Sequence, residues 1–344
     1  MKRYRFGNKN LDVKSETLKH IISATLSCGD ITREAVSRHA SVSLSTAGKV
    51  LSALDECRFT ELKYVRDNRV GPPSKSHAFS LDLSVMVLDF SSSLYTAYIV
   101  FGKAQRVILE EYRYNPSISF EDNVVVFLSN VALKNSKLDY SVSAICSVIA
   151  DDPQRISYAT DVDAAYIPRR SDMSTVNGYC ARFFKIVPPL CLTKSEALTC
   201  AVRYNIFDLP VGSDVSYVGI SESVNAYHLP HSSHAIPCNI DRLMIDNSTI
   251  LSAFTQKATT SGDMAYLITR CLNFMSCAYD TDAFLVEIDR AKFPDIEKRV
   301  ELFFKSAELS VPRIHYIDSE PPSAILGASF ELFSALIASH IRGN

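Results

Sequence analysis

The chain has 344 residues, 47% of them hydrophobic and 22% charged, which is ordinary for a globular protein of two or three domains. Its nine cysteines are odd in number and form no C-x-x-C pair, which disfavours a disulfide framework or a zinc site. No apolar stretch reaches the roughly 18 residues of a membrane span, and the opening MKRYRFGNKN contains no apolar leader, so we expect a soluble, cytoplasmic protein without a membrane partner.

Charge is distributed unevenly along the chain, although the net value is only −2. Residues 1–80 carry 14 Lys and Arg against 8 Asp and Glu, a net of +6, and the remainder carries 22 against 30, a net of −8. A basic segment at one end indicates a surface that faces nucleic acid. A basic surface without a partner explains the same numbers equally well.

Three short helices are predicted in the first sixty residues. Segment 15–27 has apolar residues at helical spacing, and Thr32 can cap a second helix over 32–40. A third helix is predicted over 41–57, with Val50, Leu51 and Leu54 on its inner face. Two short helices, a tight connection and a third helix are typical of a helix-turn-helix.

Two strand-like pieces follow the third predicted helix. They are LKYV (62–65) and HAFSL (77–81), and the polar loop between them contains Gly71-Pro72-Pro73. A two-stranded wing after a helix-turn-helix has this pattern. We therefore expect residues 1–80 to form a winged helix-turn-helix domain.

From residue 83 the pattern changes to strands in threes mixed with helices. Strands at 83–91, 96–102 and 106–114, a helix at 120–135 and a strand at 140–150 predict the first lobe of an actin-like ATPase fold. A second round has strands at 214–221, 225–230, 233–238, 283–289 and 313–318, and helices at 263–279 and 294–309, before a closing helix at 325–341. The expected fold is α/β, with a two-lobed domain over 81–344: lobe one is 81–195 plus helix 325–344, and lobe two is 196–324.

Four segments occur in an order that points to a known family. They are ITREAVSRHASVSLSTAGKVLSAL (31–54), Gly71-Pro72-Pro73, the hairpin LDFSSSLYTAYIV (88–100) and Leu326-Gly327-Ala328-Ser329. In this order they resemble the repressor branch of the ROK family (repressor, open reading frame, kinase) over nearly the whole chain. The resemblance implies a DNA-binding winged helix-turn-helix joined to a sugar-kinase, hexokinase-like domain.

The chain departs from the family pattern where the kinases carry their catalytic parts. Lys194, in LTKSEA (192–197), stands where the family has the Asp that acts as general base, and a charged lysine cannot accept a proton. Ser91 and Ser92 replace a glycine of the phosphate loop, Ser221–Asn225 replaces a Gly-rich loop, and Glu287-Ile288-Asp289 replaces a Gly pair. The family's zinc segment has no counterpart beyond Cys238. We therefore expect a pseudokinase-like domain that is not an enzyme and holds no cofactor or metal.

The start of the third helix supplies the candidate DNA contacts. In a helix-turn-helix the N-terminal residues of this helix meet base edges in the major groove. The alternative is a helix-turn-helix used only for packing or dimerisation, and the predicted wing and the basic charge favour DNA. The candidate DNA-binding residues are Ser43, Ser45, Thr46, Lys49, Arg69 and Lys75.

A small effector is a further expected partner, and its candidate contacts are Asp89, Ser91, Lys194 and Glu196. Each also has a structural explanation, since Asp89 can cap backbone amides at a strand end and Lys194 and Glu196 can open a surface helix. The histidines before Cys238 lack the paired spacing of zinc motifs, so a solvated loop is the better interpretation.

The sequence thus favours a transcription regulator that binds double-stranded DNA as a homodimer or higher oligomer. Its inactive kinase-like domain would oligomerise the chain and sense a sugar-like ligand. The rival hypothesis is a divergent ATP-dependent sugar kinase with a fused DNA-binding domain. A third is a structural dimer module whose helix-turn-helix contacts protein.

Overall fold

The computed structural model describes residues 3–6, 9–28, 31–65, 74–80, 83–101, 106–138, 142–151, 168–188, 190–204, 206–207, 209, 212–220, 224–231, 234–238, 240, 260–319 and 322–343. Its first elements are strands β1 (Arg3–Phe6) and β2 (Lys9–Lys14), helix α1 (Ser15–Cys28), strand β3 (Ile31–Thr32), helices α2 (Arg33–His39) and α3 (Leu44–Glu56), and strands β4 (Thr60–Val65) and β5 (Ser74–Phe79).

The N-terminal helices form where the apolar spacing predicts them. Thr32 caps α2 as expected, because its side chain accepts a hydrogen bond from the Ala35 amide at 3.3 Å. Helix α3 begins at Leu44 rather than at residue 41, since Ser41 has a left-handed backbone (φ 50°) and Ser43 is the N-cap. Strands β3, β5 and β4 form an antiparallel sheet in that order beside the helices.

A five-stranded sheet follows, with the order β10-β9-β6-β7-β8. Strands β6, β9 and β10 run parallel, and β7 and β8 are antiparallel additions, so the predicted hairpins are confirmed. The elements are β6 (Ser84–Phe90), β7 (Leu94–Phe101), β8 (Arg106–Arg113), α4 (Phe120–Asn135), β9 (Val142–Ile149), α5 (Met173–Phe184), β10 (Leu190–Thr193) and α6 (Lys194–Arg203).

The second five-stranded sheet repeats the topology of the first. Its order is β13-β12-β11-β14-β15, so in both sheets the strands, numbered from the first, are ordered 3-2-1-4-5. The predicted strand at 233–238 is shorter than expected. The elements are β11 (Val215–Ile220), β12 (Val224–Leu229), β13 (Ile236–Pro237), α7 (Ser261–Ala278), β14 (Ala283–Ile288), α8 (Ile296–Ser306), β15 (Ile314–Asp318) and α9 (Ser323–Gly343). The mixed α/β fold with duplicated sheets is therefore confirmed.

One apolar core joins the N-terminal helices to the first large sheet. Leu18 and Ile22 of α1 belong to the same buried cluster as Val85 of β6 and Ile325 of α9. The rings of Phe79 and Phe333 lie 5.8 Å apart in this core. The N-terminal elements are thus fastened to helix α9 by buried apolar surface, which stabilises their position.

Helices α6 and α9 cross at a distance that only glycine allows. A Cβ atom on Gly327 would lie 1.9 Å from the carbonyl oxygen of Ala197 and 2.7 Å from the amide nitrogen of Ala201. Both of those atoms belong to the backbone of α6, so they cannot move without shifting the helix. The crossing therefore fixes α6 against α9.

Within the described residues, no helix has both the length and the apolar character that a membrane crossing requires.

The tight crossing predicts a large cost for a single added methyl group. Gly327→Ala should lower the free energy of unfolding by about 1–3 kcal/mol or more, the usual range for overpacking a core. Gly178 is the matched control, since it lies inside α5 and, among the described residues, no atom beyond its own stretch of helix comes within 4 Å of the Cβ position. Gly178→Ala should stabilise the protein by up to about 1 kcal/mol, because alanine favours helix. Equal effects of the two changes in urea unfolding would contradict this account.

Candidate functional site

The first turn of α3 presents polar side chains to solvent. Ser43 and Thr46 are bonded to each other, with the Thr46 amide donating to Ser43 Oγ at 3.1 Å and the two hydroxyls 2.9 Å apart. Ser45 and Lys49 are exposed one turn apart, and Val50 on the opposite face is fully buried. The packing of the inner face therefore fixes which polar groups of α3 face outward.

A tight turn sets the angle at which α3 leaves α2. The Ser37 hydroxyl donates to the Val42 carbonyl at 2.6 Å, and the Val42 amide donates to the Ser37 carbonyl at 3.1 Å. Between them Ser41 has φ 50°, a conformation that costs little only for glycine, asparagine or aspartate. The turn holds the start of α3 clear of α2.

Strands β4 and β5 are tied to the end of α3. The Asp55 carboxylate accepts hydrogen bonds from the Thr60 hydroxyl at 2.5 Å and from His77 Nδ1 at 3.1 Å. Lys75 is exposed near the beginning of β5, opposite Tyr64, which is itself 63% exposed. Of the candidate wing contacts, Lys75 is on the surface and Arg69 lies outside the described residues.

A second polar group of residues connects the two large sheets, and we call it the inter-sheet cluster: Asp89, Asp151, Lys194, Ser195, Tyr227 and Glu287. Its centre is Asp151, at the end of β9. The Asp151 carboxylate accepts from the Ser195 amide at 3.1 Å, from the Ser195 hydroxyl, and from the Tyr227 hydroxyl of β12 at 2.8 Å. One carboxylate thus joins the start of α6 to the second sheet.

Two further carboxyls of the inter-sheet cluster are influenced by the charge of Lys194: Glu287, which is buried, and Asp89, which is half-buried. Burial raises the pKa of Asp89 and of Glu287, and the positive charge of Lys194 acts on both in the opposite direction. Glu287 Oε2 also accepts a hydrogen bond from the Ser323 amide at 2.6 Å. The cluster therefore contains carboxyl groups from both sheets, and one lysine influences two of them.

The other two candidate ligand contacts have local structural roles. The Ser91 amide donates to Asp89 Oδ1 at 2.8 Å. Asp89 thus caps a backbone amide at the end of its strand, which is the structural explanation that its position suggests. Glu196 completes a capping box with Thr193 and pairs with Arg170 Nη2 at 2.9 Å. The binding of a ligand by either residue stays a prediction.

Sequence reasoning did not assign Tyr227 or Ser195 to a site. Asp151 follows a buried strand, a position that fits either a turn or the lining of a cleft, and its carboxylate is the centre of the inter-sheet cluster. Its partners lie 44 and 76 residues further along the chain. The only signal available in the sequence was a polar residue directly after a buried strand.

The histidine-rich segment before Cys238 gives no metal-binding geometry in the part of the chain that is described. The His228 ring stacks on Tyr279, with 4.6 Å between the ring centroids, and its Nδ1 lies 3.3 Å from the Ser216 hydroxyl. His231 donates its backbone amide to Asp214 at 2.7 Å. Packing and turn formation account for these positions.

The buried Glu287 predicts a specific pH dependence of stability. A carboxyl whose pKa is higher in the folded than in the unfolded chain makes the folded chain less stable as the pH rises above about 4.5. The reason is that the carboxyl ionises more readily in the unfolded chain. The melting temperature of Glu287→Gln should therefore rise relative to that of the unmodified protein as the pH increases from 5 to 8. Each kcal/mol of difference in unfolding free energy corresponds to about 2 °C. Exposed Glu111 provides the control, since Glu111→Gln should show little pH-dependent difference. A constant difference for Glu287→Gln would contradict the prediction.

No protein-family model and no curated protein matches the sequence. Several solved structures share the fold. A ROK family transcriptional regulator, a homologue of the E. coli MLC protein, is 10% identical and covers 95% of this chain and 99% of its own, with a TM-score of 0.59.

Sugar kinases share part of the fold. A ROK family glucokinase from Streptomyces griseus, in complex with glucose and AMPPNP, is 10% identical and covers 73% of this chain and 99% of its own, with a TM-score of 0.52. The inorganic polyphosphate/ATP-glucomannokinase from Arthrobacter sp. strain KM is 14% identical, covers 73% and 98%, and has a TM-score of 0.50. The chain therefore has the fold of ROK family proteins, as the sequence resemblance implies, and this fold is common to regulators and kinases.

Proposed function

We propose that the chain is a DNA-binding transcription regulator of the ROK repressor type. Residues 1–80 act as a winged helix-turn-helix on double-stranded DNA, and residues 81–344 act as a catalytically inactive, two-lobed actin-like domain. The proposal rests above all on the exposed polar start of α3, which is held outward by a buried inner face.

The arrangement of α3 suits entry into the major groove. Helix-turn-helix proteins place the N-terminal residues of the third helix against base edges. Ser45 is exposed and can reach a base or a phosphate, and Lys49, one turn further on, can neutralise a phosphate. The net charge of +6 over residues 1–80 favours the same surface.

The extent of the structural matches agrees with an added N-terminal domain. The kinases leave about a quarter of this chain unmatched, because they cover 73% of it, whereas the regulator covers 95%. Residues 1–80 are 80 of 344, or 23% of the chain. The unmatched share, 27% of the chain, is therefore close in size to the proposed DNA-binding domain.

The charges of the inter-sheet cluster disfavour phosphoryl transfer. Lys194 is the first residue of α6, directly after β10, where the resemblance places the general base. Phosphoryl transfer depends on positioning and on neutralising negative charge, and Glu287 adds a buried carboxyl to the region where the family binds nucleotide. These residues support a domain that has kept the fold and lost the reaction.

The same cluster offers hydrogen bonds to a polyol. Both the Ser195 and the Tyr227 hydroxyl donate to the Asp151 carboxylate, and the hydroxyls of a sugar-like effector could replace either bond, since they too can donate to a carboxylate. A homodimer formed through the two-lobed domain would set the spacing between two bound half-sites.

Binding to duplex DNA should depend steeply on salt. Lys49→Ala should weaken binding to a random-sequence duplex and reduce the slope of log affinity against log salt by about one, because one phosphate contact is lost. Lys305→Ala is the control, since Lys305 of α8 is paired with Glu301 away from the proposed surface. Fluorescence anisotropy at several salt concentrations measures both slopes. Equal slopes for the two variants would contradict the proposed interface.

The purified chain should not consume ATP in the presence of hexoses. A coupled assay for ADP release, run over a panel of hexoses, should give the rate of the protein-free blank. The rival sugar-kinase hypothesis requires hexose-dependent ADP release from the full chain. Release that disappears in Lys194→Ala would establish a kinase and overturn the proposed loss of catalysis.

A further inference from the structure

Helix α6 is anchored by polar contacts at both of its ends. Ser195 lies at its start, and Tyr204 follows its last residue, Arg203. At 1.5 Å per residue the helix spans about 14 Å between them. The contacts at the two ends involve different parts of the molecule.

The start of α6 is tied to both large sheets. The Ser195 amide and hydroxyl donate to Asp151 of the first sheet, and the Tyr227 hydroxyl of the second sheet donates to the same carboxylate. A relative movement of the two sheets therefore changes the hydrogen bonds at the start of α6.

The end of α6 is tied to the N-terminal helix α1. The Ser23 hydroxyl of α1 donates to the Tyr204 carbonyl. Lys19 of α1 contacts both carboxylate oxygens of Glu331 on α9, at 2.7 and 2.9 Å, and the Tyr204 hydroxyl donates to the same carboxylate at 2.9 Å. Tyr204 also bonds to Ser334 at 2.6 Å. The position of α1 is thus defined by the end of α6 together with α9.

The helix between these anchors cannot bend or slide freely. Gly327 brings the backbone of α9 into direct contact with α6, and the Tyr204 ring packs 5.7 Å from Phe330. Close-packed interiors deform little and pass displacements on to their neighbours. A displacement of Ser195 therefore also displaces Tyr204 and α1.

We infer that α6 is a mechanical link that transmits the relative position of the two sheets to helix α1, and through α1 to the DNA-binding elements. Glu331 is the residue that couples α6, α9 and α1. The inference rests on the proposed function, because it assigns the route by which an effector held between the sheets would regulate DNA binding. Chains of packed side chains and hydrogen bonds can carry energetic coupling between two distant sites.

The test removes one hydroxyl at the far end of the link. Tyr227→Phe breaks the bond to Asp151 and leaves the ring in place. Amide hydrogen exchange in α1 should become about three- to ten-fold faster, the effect of losing one hydrogen bond. Tyr316→Phe is the matched control, since Tyr316 lies in the same sheet and its buried hydroxyl has no hydrogen-bond partner among the described residues.

A double-mutant cycle completes the test. Tyr227→Phe alone should change DNA affinity by at least five-fold. In a protein that already carries Lys19→Met it should cause no further change, because Lys19 ties α1 to Glu331. Unlinked residues at this distance would have additive effects. Unchanged exchange in α1, or an equal change in Tyr316→Phe, would overturn the link. Faster exchange in α1 without any DNA binding would support the link and refute the proposed function.

Discussion

The crossing of α6 and α9 at Gly327 is the constraint on which the arrangement of the molecule depends. Because the two backbones touch, α9 cannot settle against the first sheet without fixing α6 as well. The core that contains Ile325 and Phe333 then continues into the N-terminal helices. The proposed DNA-binding elements and the inter-sheet cluster are therefore held by the same pair of helices.

Charge explains why the kinase fold need not imply kinase chemistry. The positive charge of Lys194 acts on the carboxyls of both Asp89 and Glu287 and lowers the pKa of each, against the larger effect of burial. Burial favours the neutral form of each carboxyl, and the lysine charge favours the ionised form. The same fold can support different functions, because function depends on the site rather than on the fold.

Local sequence patterns predicted most of the helices and strands, but they could not predict contacts between residues far apart in the chain. Apolar spacing gave the bounds of α4 without error, and Thr32 caps α2 as its residue type implies. The start of α3 was placed three residues early, because nothing in the sequence indicates that Ser41 adopts a left-handed backbone. The role of Asp151 could not be derived, since it depends on Tyr227, which the fold brings from 76 residues away.

Selection of bound sequences from a random pool of duplex DNA, using the purified 344-residue chain, tests the central claim most directly. The account predicts enrichment of a palindromic sequence whose half-site centres are separated by about 10 base pairs or a multiple of that spacing, as a two-fold symmetric helix-turn-helix dimer requires. It also predicts that Ser45→Ala changes the preferred bases within each half-site. A pool that shows no enrichment after repeated rounds would contradict the assignment of α3 as a DNA-reading helix.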